Sequence, residues 1–118
     1  MKIATAAYPL DQFTQWSDYA TKLESWVSEA AGQGADLLVF PEYGAMELAT
    51  LDGAEVAADL PASLRAISDK MPQVDALHAD LAAKFGVYIC AASAPVYDGA
   101  LGPDPVNRAR LFGPNGDM

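Results

Sequence analysis

Leu37-Leu38-Val39-Phe40-Pro41-Glu42-Tyr43 is the stretch on which the fold turns. Four large apolar residues in succession, preceded by Gly32 and Gly34 and stopped by Pro41, predict a short strand buried on both faces of a parallel sheet. In an open α/β sheet, ligands and chemistry gather at the carboxyl ends of the strands, so Glu42 stands where a reacting carboxylate is expected. Phe40, Pro41 and Tyr43 give it apolar neighbours, and a partly desolvated carboxylate is a better proton acceptor near neutral pH. The same residues also fit a structural role, with Pro41 opening a short helix and Glu42 favoured there by the helix dipole.

Upstream of this strand, Trp16, Tyr19, Leu23, Trp26, Val27 and Ala30 recur at intervals of three and four residues, which predicts an amphipathic helix over 14–31. Asp18, Lys22, Glu24 and Glu29 take its outer face, Thr14 or Ser17 can cap its start, and Gly32 or Gly34 can end it in the left-handed conformation. Both tryptophans are read as core, since they lie on the sheet-facing stripe. Before the helix, Lys2 to Tyr8 is a run of small residues suited to a central strand. Strand, helix and strand then form one βαβ unit with parallel strands.

Downstream, Gly44 to Leu60 suits one or two short helical turns, with Glu47, Asp52, Glu55 and Asp59 on a solvated face. Between Pro61 and Phe85 a helical period continues, but Pro72 is expected to divide it into pieces at about 61–70 and 72–85. His78, the only histidine, is placed at the surface or a helix end. Val87 to Ala92 reads as a third apolar strand, with Cys90 packed inside it as a structural thiol. A loop from Pro95 to Pro105 leads to an alternating strand, Val106 to Phe112. Gly113 to Asp117 then forms a reverse turn whose return strand is missing, so the sequence is expected to stop in mid-fold.

The chain has 118 residues, of which 52% are hydrophobic, enough for one domain with its own core. Its net charge of -9, from 16 acidic against 7 basic residues, argues against nucleic acid and anionic membranes as partners. No apolar run approaches a bilayer span and no secretory leader is apparent, so a cytoplasmic location is expected. One cysteine excludes an internal disulfide. Gly32-x-Gly34 precedes a strand instead of following one and is no dinucleotide fingerprint. There is no phosphate loop, no paired acids after the first strand and no ligand cluster for zinc, so neither a metal nor a cofactor is called for.

Phe40-Pro41-Glu42-Tyr43, placed after an amphipathic helix and a hydrophobic strand, resembles the glutamate motif of the nitrilase superfamily, the carbon–nitrogen hydrolases. Ala92-Ser93-Ala94-Pro95-Val96-Tyr97-Asp98-Gly99, followed by Val106-Asn107-Arg108-Ala109-Arg110-Leu111-Phe112-Gly113-Pro114-Asn115-Gly116, is similar to that family's third strand and asparagine-bearing hairpin. The likeness runs the length of the chain, residues 1–118.

The resemblance implies an α/β fold that is part of a four-layer α-β-β-α sandwich, incomplete in this chain. It also implies a Glu-Lys-Cys site acting on a small amide or nitrile, with Glu42 as general base, and a homo-oligomer built through outer helices. In the family the lysine follows the hairpin and the cysteine lies at the end of a later strand. Lys2, Lys22, Lys70, Lys84 and Cys90 do not match those positions, so the chain alone is expected to be inactive. Tyr43 is placed at the rim of the substrate pocket, and Asn107 is read as orienting the hairpin through backbone hydrogen bonds. The alternative is a small acidic α/β binding or interaction domain without chemistry, in which Glu42 merely starts a helix.

Overall fold

A computed structural model describes residues 1–118 as an α/β domain built on one four-stranded mixed sheet. Its strands are β1 (Ile3–Thr5), β2 (Leu37–Val39), β3 (Tyr88–Val96) and β4 (Val106–Phe112), side by side in that order. The first three are parallel, with Leu38 beside Ala4 on one side and Ile89 on the other. β4 runs antiparallel to β3, pairing Ile89 with Phe112 and Val96 with Val106, with an irregularity between Ala91 and Ala94. The βαβ unit therefore forms as its sequence predicts, but β1 is a three-residue edge strand and not a central one. The hairpin in this chain is β3–β4, and it is complete. The turn after β4 closes on itself through Gly113 N–H to Asp117 O at 2.7 Å and packs against Ala79 and Ala83.

α1 (Trp16–Gly32) follows the predicted period and buries Tyr19, Leu23 and Val27, with both tryptophans half-buried against the core. Its N-cap is Gln15, without a side-chain bond, so neither Thr14 nor Ser17 caps it. Gly34, at φ +85°, turns the chain back toward β2 just beyond the helix. After β2 come a 3-10 helix (Gly44–Asp52), the short α2 (Ala54–Ala58) and α3 (Leu60–Phe85).

α3 is one helix of 26 residues with Pro72 inside it. The expected break does not occur because the apolar stripe is continuous across the proline. Ile67 and Met71 before it and Val74, His78 and Leu81 after it are all buried, while Pro72 itself is exposed. Burial of several such side chains, each contributing about 1.5–3 kcal/mol, outweighs the roughly 3 kcal/mol that an internal proline costs.

The two faces of the sheet differ. On one, Leu38, Ile89, Ala91, Arg110 and Phe112 are buried beneath the helices. On the other, Ile3, Tyr88 and Leu111 are 58%, 43% and 53% exposed, with Leu37, Val39 and Cys90 half-buried among them. β2 is thus covered on one side only, where its sequence predicted burial on both. No helix is long and apolar enough to cross a membrane.

Candidate functional site

Phe40 extends the β2 pairing by one residue, its N–H donating to Cys90 O at 3.0 Å, and the chain then leaves the sheet in a tight turn. Gly44 N–H donates to Pro41 O at 3.2 Å. Tyr43 lies in the left-handed region at φ 62°, a conformation that costs a non-glycine residue roughly 1–2 kcal/mol. It is held there by its N–H donating to Ser93 Oγ at 3.2 Å. Gly44 is required by proximity: a Cβ at this position would sit 2.8 Å from Ala92 Cβ. The turn that carries Glu42 is therefore pressed directly onto β3.

Glu42 is exposed at the carboxyl end of β2. The apolar walls expected from Phe40, Pro41 and Tyr43 do not enclose it, since Phe40 points into the core and the Tyr43 ring is 57% exposed. Asn107 of β4 donates from Nδ2 to Glu42 Oε1 at 3.2 Å. This side-chain contact replaces the backbone role expected of Asn107. Glu42 and Asn107 line an open depression of about 290 Å³ with Phe40, Cys90, Ala91, Ser93 and Ala109. Cys90 is in the predicted strand, but its side chain is half-buried on the open side of the sheet and borders the same depression as Glu42. Tyr43 and Asn107 border a second, apolar cleft of about 170 Å³ with Met46, Leu64, Pro95, Pro105 and Val106. None of the four lysines lines either space. Lys2 reaches Gln33 O, Lys70 pairs with Asp52, Lys84 with Glu24 and Lys22 with Glu47.

Beneath the turn is a polar cluster that the sequence did not announce. Glu47, expected on a solvated face, is only 2% exposed. Its carboxylate accepts from Tyr8 Oη at 2.5 Å, Lys22 Nζ at 2.6 Å and Asp11 N–H at 3.2 Å. Lys22, expected on the outer face of α1, folds inward to make this pair and sits 3.9 Å from the Tyr8 ring centroid. It also reaches Asp11 and the carbonyl of Pro9. Burial and the neighbouring Glu47 carboxylate push the Tyr8 hydroxyl well above the usual phenol range. The cluster ties the loop after β1, α1 and the 3-10 helix into one unit.

His78 is also buried, at 3% exposure, and not at the surface. Its ring stacks on Phe112 at 5.5 Å, and Nδ1 lies 2.8 Å from Val74 O. Burial lowers its pKa to about 4, so it is neutral at pH 7, with Nδ1–H the donor to Val74 O. Arg110, on the same covered face, donates from Nε to Asp75 Oδ1 at 2.7 Å and from Nη1 to Ala92 O at 3.0 Å. At the hairpin mouth, the Ala100 N–H and the Arg108 guanidinium hold the Asp98 carboxyl below the usual carboxylate range. The chain matches no family model and no curated protein.

Proposed function

We propose that this chain is the N-terminal part of a cysteine-dependent hydrolase of non-peptide carbon–nitrogen bonds, with Glu42 as its general base. The observation that carries the reading is the position of Glu42. It stands at the carboxyl end of a parallel strand, on the rim of an open sheet face, with one carboxylate oxygen fixed by Asn107 and the other left to solvent. In such an enzyme the glutamate accepts the proton of a cysteine thiol as the thiolate attacks the carbon of an amide or nitrile. A lysine stabilises the charge that develops on the substrate, and water then hydrolyses the resulting acyl-enzyme. Tyr43 borders the pocket for the substrate.

The open face supports the same reading. Ile3, Leu37, Val39, Tyr88 and Leu111 form the kind of half-covered apolar surface that a second sheet would bury in an α-β-β-α sandwich. Lysine and cysteine are then supplied by further chain, and this reading assigns neither role to a residue between 1 and 118. Extending the coding sequence past Met118 tests this. The reading requires a lysine soon after the hairpin and a cysteine at a later strand–helix junction; a continuation lacking both would refute it.

A second reading, a small acidic binding domain without chemistry, is favoured by the exposure of Glu42 just ahead of the 3-10 helix Gly44–Asp52. On that reading the depression beside Glu42 is a contact surface, and replacing the carboxylate leaves any hydrolysis by the longer protein unchanged.

A further inference from the structure

Arg110 enters the covered face of the sheet and is 6% exposed. Its Nε and Nη1 are bonded to Asp75, Ala92 and Arg108, but the buried Nη2 has no acceptor in the protein. A buried donor left unpaired costs about 1–3 kcal/mol, and more when it is charged. Natural proteins meet that cost with an ordered water where the site is polar and large enough.

The guanidinium borders a small void of about 10 Å³, shared with Tyr8, Tyr19, Glu47, Val74 and His78. That is close to the volume one water-sized probe occupies, and far too small for any organic ligand. The chemistry of the walls also suits water. With Nδ1–H of His78 committed to Val74 O, the neutral ring presents Nε2 as an acceptor. Tyr19 adds a hydroxyl, and Glu47 a carboxylate that already accepts from Tyr8, Lys22 and Asp11.

We propose that this void is a binding site for a single ordered water that accepts from Arg110 Nη2 and donates to His78 Nε2. The water ties Arg110 on β4 to His78 on α3, a link that the protein's own hydrogen bonds do not make. It lies beneath the turn that carries Glu42, because Gly44, Ala45 and Ala92 also border the void. Arg110 is three residues beyond Asn107 on β4. The link therefore braces from below the strand that carries Asn107 in the Glu42–Asn107 contact. It holds whether or not the protein is a hydrolase.

A high-resolution crystal structure of the 118-residue chain tests the site directly. The expected result is an ordered water within about 3.2 Å of Arg110 Nη2. Water oxygen-17 relaxation dispersion gives a count in solution, which should fall by one long-lived water in Val74→Ile, where an added methyl group occupies the void. A dry void with Nη2 still unpaired, or Nη2 bonded directly to a protein acceptor, overturns the proposal. So does a relaxation count that Val74→Ile leaves unchanged. The wild-type crystal structure decides the matter even if the variant does not fold.

Discussion

The two faces of the sheet are made by the same strands and do different things. On the covered face, Ile89 and Ala91 of β3 and Arg110 and Phe112 of β4 are buried, and Ile89 and Phe112 pair across the strands. One residue along, Cys90 and Leu111 pair in the same way, and their side chains emerge on the open face. Alternation alone separates a face that holds the fold together from one that carries the candidate chemistry. The difference teaches that the buried charges, Glu47 and Arg110, belong to the supporting side, and that Glu42 belongs to the side still open to a partner.

The sharpest way to break this division is to unpair a charge on the supporting side. Lys22→Met leaves the Glu47 carboxylate without its cation and should cost about 3–5 kcal/mol in denaturant unfolding. A loss below about 1 kcal/mol, as for an exposed ion pair, would mean that the cluster is solvated after all. Next comes the paired comparison within the sheet. Ile89→Ala should cost about 2–5 kcal/mol, whereas Leu111→Ala, 53% exposed, should change stability by no more than about 0.5 kcal/mol. Equal losses at the two sites would erase the distinction between the faces.

His78 gives the division a pH signature. Its folded-state pKa of about 4 lies below the ordinary value of 6.5, so the unfolded chain binds a proton that the folded chain refuses. The contribution is fully present above pH 6.5 and is lost as the pH falls toward 4, amounting to about 3 kcal/mol. His78→Phe should remove that part of the acid slope. An identical pH dependence in wild type and variant would show that His78 titrates as an exposed residue does.

A further effect, of moderate size, concerns the Glu42 turn. Gly44→Ala drives a methyl group against Ala92 and should cost about 1–3 kcal/mol. Ala92→Gly in the same chain should restore most of it, because the clash is between these two Cβ positions. Absence of rescue would place the strain elsewhere in the turn.

Much of this arrangement is legible in the sequence, and what is not has common causes. The bounds of β4 and the buried stripe of α1 follow from local alternation and period, which need no knowledge of distant residues. The burial of Glu47 is hidden because its partners Lys22 and Tyr8 are 25 and 39 residues away, and nothing next to it marks a buried acid. The continuity of α3 across Pro72 and the burial of His78 have the same origin: both are decided by packing on the sheet, which overrides local rules. The one-sided covering of β2 was hidden by its uniformly apolar composition, since Leu37-Leu38-Val39 carries no alternation to show which face stays open. Of the candidate site, the place of Glu42 just beyond β2 is readable, whereas the Asn107 contact joins residues 65 apart in sequence.

We propose that the Glu42 carboxylate acts as a general base on the open face. Its most direct test is the rate of amide and nitrile hydrolysis by the chain with its natural continuation, with and without Glu42→Gln. Glutamine keeps the shape and can still meet Asn107, but it cannot accept the thiol proton, so kcat/KM should fall by about 100- to 10,000-fold. Unchanged hydrolysis in the Gln variant would rule out Glu42 as the base and return it to the role of a turn residue.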